Sequence, residues 1–420
     1  MSLETNVVHT GDCFDVLQTL ADESVHAVVS DPPYGLAFMG RDWDDFKPKE
    51  YQEWCERWAR EVKRVLKPGG HMLAFSGNRT HHRLFTGVED AGFEIRDTLT
   101  WHYGSGFPKA SDISKTIDKR AGAERKVTSV QYGKDLAMQS GNYGNSAGKK
   151  NNTAELKRRD KPATDAAKKW DGWKTGLKPS TEFVVMARKP YDGATVDSVL
   201  EHGTGALNID GTRINAGKEY EYETDAPIST ENSNEGWTRD AHEGVKRSSH
   251  EEGRYPANLM FDEVAAEQLD AKVGDLHESS ESTRGGDLYG GYESEGIKGA
   301  GESIAFGDSG GPSRYFYTSK ATQAERTLDG KIDNAHPTVK PGDLMQWLVK
   351  LVTAENQIVL DPFAGSGTTL RAAKDLGRQF IGIERQPKWA DVARVRAGLT
   401  PDDPSTVRDD ADQSGLEAYD

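Results

Sequence analysis

The chain has 420 residues, of which 29% are charged and 35% hydrophobic, and its formal net charge is −15. This length allows a sizeable core and about two domains, whereas the negative net charge argues against simple polyanion binding by the whole surface. Because no segment approaches about 18 consecutive apolar residues, we expect no transmembrane helix. The first residues are neither basic nor followed by an apolar run, so we expect no signal peptide and a cytoplasmic location. Cys13 and Cys55 provide neither a disulfide framework nor a zinc cluster.

Short strands alternate with amphipathic helices along the first quarter of the chain. The strand segments are apolar runs rich in β-branched residues, and the helical segments repeat apolar residues at helical spacing. The pattern predicts strands at residues 6–10, 25–30, 72–75 and 95–101 and helices at residues 14–20, 51–66 and 80–91. Residues 67–70, Lys-Pro-Gly-Gly, are a typical end of a helix. This alternation favours an α/β fold with a mostly parallel, doubly wound sheet.

Charge is distributed unevenly through the middle of the chain. Residues 115–178 hold 16 Lys and Arg against 7 Asp and Glu, whereas residues 218–308 hold 8 against 22. The basic segment has little periodicity, and we interpret its residues 141–145 and 157–159 as charged mobile loop. It is a candidate contact for a polyanion, although a merely solvated surface is the alternative. A strand is predicted at residues 183–187.

The C-terminal part again alternates helices with strands. Helices are predicted at residues 344–352 and 369–376, and strands at residues 357–360 and 380–383. Residues 285–311, which precede this C-terminal part, are so rich in Gly, Ser and Glu that we predict no regular structure for them. The last twenty residues carry seven acidic residues and one Arg, which is typical of a solvated tail.

One motif directly follows the predicted strand at residues 25–30. It reads Asp31-Pro32-Pro33-Tyr34. The two prolines cannot donate ladder hydrogen bonds and hold the backbone extended. We therefore expect a rigid corner, with a carboxylate, carbonyls and an aromatic ring, at the strand end where ligands bind in an open α/β sheet. An ordinary turn with Tyr34 as a core aromatic residue is the alternative.

A second motif connects a predicted strand to a helix near the C-terminus. It reads Asp361-Pro362-Phe363-Ala364-Gly365-Ser366-Gly367-Thr368-Thr369, and Glu384 ends the following strand. Small residues let a ligand approach the backbone, and a helix N-terminus offers free N–H groups. Glu384 is placed to accept hydrogen bonds from both hydroxyls of a ribose. The motif lacks the third glycine of dinucleotide-binding loops and the lysine of a Walker loop. An NAD-dependent oxidoreductase would fit this motif but would leave Asp31-Pro32-Pro33-Tyr34 unexplained.

The two motifs together resemble the paired signature of DNA amino-methyltransferases, which use S-adenosyl-L-methionine to methylate adenine N6 or cytosine N4. The motif order is similar to the β group, in which the methyltransferase fold is circularly permuted. Residues 11–12, 64–70 and 336–341 also look like family motifs, and residues 104–109 and 173–190 resemble prophage and viral site-specific members. The resemblance covers about residues 1–110, 170–215 and 310–397.

The resemblance implies a Rossmann-like S-adenosylmethionine-dependent methyltransferase fold, circularly permuted, with a variable target-recognition region inserted. Together with the distribution of charge, it divides the chain into a catalytic half (1–110), a basic loop region for DNA contact (111–180), a return strand (181–215), an acidic, partly disordered target-recognition insertion (216–330), a cofactor-binding half (331–397) and an acidic disordered tail (398–420).

The implied reaction methylates N6 of an adenine that is flipped out of double-stranded DNA. The catalytic residues would be Asp31, Pro32, Pro33 and Tyr34. Asp31 and the Pro32 carbonyl would accept the two amine protons, which draws the nitrogen lone pair out of the ring, and Tyr34 would stack on the base.

The resemblance also implies a cofactor site and no metal. Asp12 would bind the adenine amino group of the cofactor, and Thr338 and Lys340 would bind its methionine carboxylate. Asp12 as a helix N-cap and Lys340 as a plain surface lysine are the alternatives. Phe363, Gly365 and Gly367 would line the methionine moiety. The complete predicted set is Asp12, Thr338, Lys340, Asp361, Phe363, Ala364, Gly365, Ser366, Gly367, Thr368, Thr369 and Glu384.

Alternatives remain on the same scaffold. In the family, an Asp at position 31 leans toward adenine and a Ser leans toward cytosine. An N4-cytosine DNA methyltransferase is the first alternative function, and a catalytically idle DNA-binding protein on the same fold is the second. A cytosine-5 enzyme needs a cysteine nucleophile, normally after a proline, and neither Cys13 nor Cys55 has one before it. Protein and RNA amine methyltransferases more often begin the motif with Asn. A homodimer and a cognate restriction enzyme are further expectations.

Overall fold

The computed structural model describes residues 3–36, 44, 46–104, 106, 110–132, 156–214, 221–224, 228–230, 238–240, 245–248, 253–274, 310–319 and 339–404. The strands are β1 Val7–Thr10, β2 Val25–Ser30, β3 Leu66–Gly77, β4 Glu94–His102, β5 Lys126–Tyr132, β6 Leu156–Lys161, β7 Thr181–Arg188, β8 Glu221–Thr224, β9 Ile228–Thr230, β10 Thr238–Asp240, β11 Val245–Ser248, β12 Leu259–Asp262, β13 Tyr317–Ser319, β14 Ile358–Asp361 and β15 Gln379–Glu384. The helices are α1 Cys13–Thr19, α2 Pro48–Val65, α3 His81–Asp90, α4 Ile113–Arg120, α5 Asp165–Lys169, α6 Thr195–His202, α7 Glu263–Val273, α8 Gly342–Val352, α9 Thr368–Asp375 and α10 Pro387–Arg396.

Within these residues, one nine-stranded sheet forms the centre of the molecule, in the order β1-β15-β14-β2-β3-β7-β4-β12-β13. Neighbouring strands are parallel except at β7, which is antiparallel to both β3 and β4. The carboxyl ends of the parallel strands and the amino end of β7 therefore meet at one edge of the sheet. The predicted α/β fold with a mostly parallel sheet is confirmed.

Helices cover both faces of the sheet and bury two apolar cores. One core joins the sheet to α8, α9 and α10, with Leu348, Leu370 and Ala393 fully buried. The other joins it to α1, α2 and α3, with Trp58 and Leu84 fully buried. The sheet is thus the middle layer of three, the arrangement in which mostly parallel sheets are stable.

The strand β3 begins earlier than predicted. We expected Pro68, Gly69 and Gly70 to separate a helix from a strand at residues 72–75, but the strand starts at Leu66, immediately after α2. The backbone tolerates this because Gly69 adopts φ +74° and the β2–β3 register shifts between Val25 and Ala27. Glycine reaches that φ without a Cβ clash.

The described parts of the basic segment include regular structure that was not predicted. Residues 157–159, interpreted as mobile loop, lie in β6, which pairs antiparallel with β5. The carboxylate of Asp118 on α4 accepts hydrogen bonds from the backbone of residues 163 and 164, each at 3.0 Å, and pairs with Arg125 at 3.2 Å. Helix α4, the β5–β6 hairpin and α5 therefore form one connected unit. Residues 141–145 lie outside the described residues.

The main sheet extends into the acidic segment at residues 216–330. Strand β12 pairs in parallel with β4, and β13 pairs in parallel with β12. Most of the Gly-, Ser- and Glu-rich segment at 285–311, and the tail beyond residue 404, lie outside the described residues. In the described part of the chain, no helix is long and apolar enough to cross a membrane, and no group of three His, Cys, Asp or Glu is placed to hold a metal ion.

Candidate active site

Two motifs that are far apart in sequence meet at the carboxyl edge of the sheet. Strand β2 ends at Ser30, and the adjacent strand β14 ends at Asp361. The Ser30 hydroxyl donates a hydrogen bond of 2.5 Å to Asp361 Oδ1, across 331 positions of sequence. The Tyr51 hydroxyl donates to the Pro33 carbonyl at 2.9 Å, which fixes the corner after β2. The Asp31 corner and the glycine-containing turn therefore border the same space.

That space is a cleft that is partly open to solvent. Residues from both motifs and from the start of α8 line it: Asp31, Val339, Lys340, Met345, Asp361, Phe363, Ala364, Gly365, Ser366, Thr368 and Thr369. The structure thus brings one predicted catalytic residue together with most of the predicted cofactor residues.

Asp31 belongs to a cluster of four polar side chains. Its Oδ1 accepts a hydrogen bond from the Tyr34 hydroxyl at 2.8 Å, and its Oδ2 accepts one from Lys340 Nζ at 2.6 Å. Glu182, the second residue of β7, lies 3.0 Å from the Tyr34 oxygen and 3.3 Å from Lys340 Nζ through its Oε2. The Asp31, Glu182 and Lys340 side chains are 17%, 19% and 8% exposed. The tyrosine hydroxyl carries one proton, so it donates to one carboxylate at a time.

Burial and mutual charge decide the protonation states in this cluster. Burial alone would lower the pKa of Lys340, but Asp31 and Glu182 raise it above its ordinary value. Burial raises the pKa of Tyr34, and the two carboxylates raise it further. Burial also raises the pKa of Glu182, with Lys340 opposing. Lys340 is therefore cationic and Tyr34 neutral, while Glu182 takes up a proton more readily than an ordinary glutamate.

The glycine-containing turn is held by its neighbours. Glu384 Oε2 accepts a hydrogen bond from the Gly365 N–H at 2.9 Å, and its Oε1 accepts one from Gln386 N–H at 2.8 Å. Gly367 adopts φ +79° before α9, and a Cβ on it would lie 2.7 Å from the Cα of Ala393 on α10. A larger residue at 367 would separate the turn from α10. Phe363 packs against Trp54 and Trp58 of α2, with ring centroids 5.3 and 5.4 Å away.

Asp361 is a buried carboxylate in the wall of the cleft. Burial raises its pKa to about 6, while hydrogen bonds from Ser30, Thr369 and the Phe363 N–H oppose that rise. A cation in the cleft would favour the ionised form. The methionine part of S-adenosylmethionine carries an ammonium and a sulfonium, so the charge of this wall and the glycine turn suit that cofactor.

Other predicted cofactor residues have different surroundings. Asp12 caps α1, because its Oδ1 accepts a hydrogen bond from the Phe14 N–H at 3.0 Å, and this alternative is confirmed. It lies at the same edge as Glu384, since the Gly11 N–H donates to the Glu384 carbonyl. Contact of Asp12 with the cofactor adenine stays a prediction. Thr338 lies outside the described residues.

The sequence did not predict the surroundings of Lys340 or the presence of Glu182 in the site. The alternative that Lys340 is a plain surface lysine is wrong, because its ammonium is buried against two carboxylates and 4.9 Å from the Phe75 ring. Its contact with the methionine carboxylate stays a prediction. Sequence reasoning missed Glu182. The one signal in the sequence is a charged residue directly before the apolar run 183–187. That residue reaches the active-site edge only because β7 runs antiparallel to its neighbours, and the sequence pattern does not show this direction.

The fold and the site define an S-adenosylmethionine-dependent methyltransferase. Residues 25–394 match the model of the N6/N4 DNA methylase family, and the chain belongs to that family. The type II methyltransferase M.HindIII of Haemophilus influenzae is 24% identical over 432 aligned positions, covering 93% of this chain and 95% of the relative.

Solved structures align over most of the chain at low similarity. PvuII DNA methyltransferase, described as cytosine-N4-specific, has a TM-score of 0.45 at 14% identity, covering 94% of this chain and 87% of its own. The M1.HpyAVI complex with SAM has a TM-score of 0.37 at 15% identity, covering 93% of this chain and 98% of its own.

Proposed function

We propose that this DNA methyltransferase transfers the methyl group of S-adenosylmethionine to the exocyclic N6 of an adenine flipped out of double-stranded DNA. The observation that supports this most is the hydrogen bond between Ser30 and Asp361. It joins the Asp31 corner to the turn that would hold the cofactor, so amine and methyl donor would meet in one cleft. When bound, S-adenosylmethionine supplies an electrophilic methyl group.

The residues of the corner would prepare the amine. Asp31 would accept a hydrogen bond from one N–H and the Pro32 carbonyl from the other, which aims the nitrogen lone pair at the methyl group. Both Asp31 oxygens already accept one hydrogen bond, but each carboxylate oxygen has two lone pairs. The contacts to Tyr34 and Lys340 therefore orient Asp31 and leave it able to bind an amine.

The choice of an amine over a ring carbon follows from the cysteines. Burial raises the pKa of both Cys13 and Cys55 to about 12. A thiolate nucleophile of the kind that cytosine-5 methylation needs is therefore not accessible at either position. Adenine is preferred over cytosine because family members with Asp at position 31 lean toward adenine.

The basic segment would contact the DNA backbone. The chain leaves the main sheet at His102, before this segment, and returns at Thr181, after it, and these two residues pair across β4 and β7. Since Glu182 follows directly, the segment rises from the edge that carries the active site. On the unit formed by α4, the β5–β6 hairpin and α5, three cationic residues are exposed: Lys119, Arg120 and Lys169. Such cations support sequence-independent, salt-dependent attraction to phosphates.

Two exposed indoles on the same unit strengthen this assignment. Trp170 is 38% exposed and Trp173 60%, and their rings meet edge to face at 5.0 Å. Exposed aromatic rings beside cations suit stacking on unpaired bases. Recognition of a specific site by residues 216–330, a homodimer and a cognate restriction enzyme stay predictions, the last supported by the similarity to a type II methyltransferase.

The test is to identify the methylated nucleoside. Bacterial chromosomal DNA without N6-methyladenine or N4-methylcytosine would be incubated with the protein and methyl-tritiated S-adenosylmethionine, then digested to nucleosides. We expect label in N6-methyldeoxyadenosine, at a rate about 10²- to 10³-fold lower in Asp31→Ala because a transition-state acceptor is lost. Asp192→Ala, which removes an exposed aspartate, is the matched control. Label in N4-methyldeoxycytidine would overturn the adenine assignment, and absence of label would favour an idle DNA-binding protein.

A further inference from the structure

Glu182 has a position that the binding of amine and cofactor does not explain. It enters the site from the antiparallel strand β7, and its Oε2 is 3.0 Å from the Tyr34 hydroxyl oxygen. That hydroxyl is 2.8 Å from Asp31 Oδ1. A continuous hydrogen-bonded path therefore runs from Asp31 through Tyr34 to Glu182.

The reaction releases a proton that must leave the amine. When the nitrogen lone pair forms the new N–C bond and the S–C bond breaks, the nitrogen becomes a cation that carries both of its original protons. Loss of one proton restores the neutral, methylated amine. Asp31, hydrogen-bonded to that nitrogen, is the first acceptor, and it must lose the proton again before another turnover.

We propose that Glu182 receives this proton from Asp31 through the Tyr34 hydroxyl and passes it to solvent. Protonated Asp31 would donate to the tyrosine oxygen while the tyrosine donates its own proton to Glu182. Two protons each move across one hydrogen bond, with the net transfer of one proton from Asp31 to Glu182, so Asp31 returns to a carboxylate and Tyr34 stays neutral. The inference rests on the proposed function only in requiring an exocyclic amine. Because Glu182 acts through Tyr34, it is a positioning residue of the reaction.

The surroundings of Glu182 make it the suitable acceptor. The titratable groups that face it are Asp31 and Tyr34 from the corner after β2 and Lys340 from the segment before α8. Its register partners on β3 and β4 are Gly77 and Trp101, which carry no charge. An ammonium such as that of Lys340 has no lone pair to accept a proton. Glu182 accepts one more readily than usual because burial raises its pKa, and its 19% exposure gives the proton a way out.

The experiment measures steady-state, multiple-turnover methyl transfer from pH 5.5 to 9 with the full chain and the chromosomal DNA described above, because Asp31 must lose its proton between turnovers. Glu182→Gln keeps the size and hydrogen-bonding ability of the side chain but cannot accept a proton. We expect it to lower the rate constant at pH 7 about tenfold or more, with the dissociation constant for S-adenosylmethionine unchanged within about twofold. In the wild type the rate should fall as the pH drops through the pKa of Glu182, and Glu182→Gln should lose that limb. Glu182→Asp, which retains a carboxylate, should recover part of the rate and the limb.

Two further variants separate a proton path from a merely structural role. Glu94→Gln is the matched control, because Glu94 pairs with Arg188 at 2.6 Å near the other end of β7. It should keep the wild-type rate and pH profile. Tyr34→Phe removes the intermediate hydroxyl, and combining it with Glu182→Gln should be no slower than the slower single variant, since both interrupt one path.

Equal pH profiles for the wild type and Glu182→Gln would overturn the proton path, and so would rate losses that multiply in the double variant. These outcomes are distinct from failure of the adenine assignment. Label on cytosine N4 would correct the base and leave the Glu182 result readable, because the path needs only an amine.

Discussion

Replacing Gly367 by Ala tests whether the turn depends on close contact with α10. The added Cβ would lie 2.7 Å from the Cα, 2.8 Å from the Cβ and 3.1 Å from the carbonyl oxygen of Ala393. The clash is with backbone, so no flexible side chain can move away. Overpacking of this kind costs about 1–3 kcal/mol, and an alanine at φ +79° costs about 1–2 kcal/mol more.

Gly377→Ala is the control that isolates the packing contribution. Gly377 adopts φ +70°, and a Cβ there would have no atom within 4 Å. It should lose only the conformational part, about 1–2 kcal/mol. We therefore expect Gly367→Ala to be less stable than Gly377→Ala by about 1–3 kcal/mol, and to bind S-adenosylmethionine more weakly because the turn is displaced.

Urea unfolding, monitored by tryptophan fluorescence, gives the free energy of unfolding. Calorimetry in the absence of urea gives the affinity for the cofactor. Trp54 and Trp58 pack against Phe363 of the same turn, so their emission reports on this part of the molecule. If the two variants lose the same free energy of unfolding and bind the cofactor equally, the contact with Ala393 does not hold the turn.

Two other predictions concern charge. Burial raises the pKa of Asp361 from 3.8 to about 6, so between these values the folded protein holds a proton that the unfolded chain has lost, and stability falls as pH rises. At 1.36 kcal/mol per pKa unit this costs about 3 kcal/mol above pH 6. Asp361→Asn should remove most of that pH dependence in unfolding experiments and weaken cofactor binding at pH 7; an unchanged stability profile would contradict this assignment. The triple variant Lys119→Ala, Arg120→Ala, Lys169→Ala should weaken DNA binding and reduce the slope of log K against log salt by up to about 3, at about 0.9 per phosphate contact. Its control is Lys47→Ala, Lys49→Ala, Arg60→Ala, three exposed cations of α2 and its N-cap, and equal slopes for the two triples would argue against the basic segment as the DNA contact.

Local sequence was sufficient for the elements that form the cleft. Apolar runs and helical spacing located the strands and helices on either side of Asp31 and Asp361, with ends within a few residues of those observed, except at β3. Two prolines after β2 and two glycines before α9 determine backbone conformation over a few bonds, so the corner and the turn could be predicted. The N-cap role of Asp12 was likewise predictable, because the acceptor and the helix N-terminus are sequence neighbours.

The regions outside the cleft were predicted less well, for a related reason. Strands β12 and β13 are short and lie in an acidic segment whose composition favours disorder. β12 forms a strand because it pairs with β4, and β13 forms one because it pairs with β12. The pairing of β5 with β6 was likewise not predicted, because the many charged residues in these strands hide the usual apolar strand pattern.

The sequence by itself determined the corner and the turn, since each depends on residues close together in the chain, and the presence of both motifs indicated the family of chemistry. Only the tertiary structure decided the partners of Asp31. Lys340 reaches it across 309 positions and Glu182 reaches Tyr34 across 148. The contact of Glu182 exists because β7 runs antiparallel to its neighbours and brings its amino end to the edge where the parallel strands end. Strand direction and order follow from how the whole sheet packs between its helices, and no local pattern encodes them.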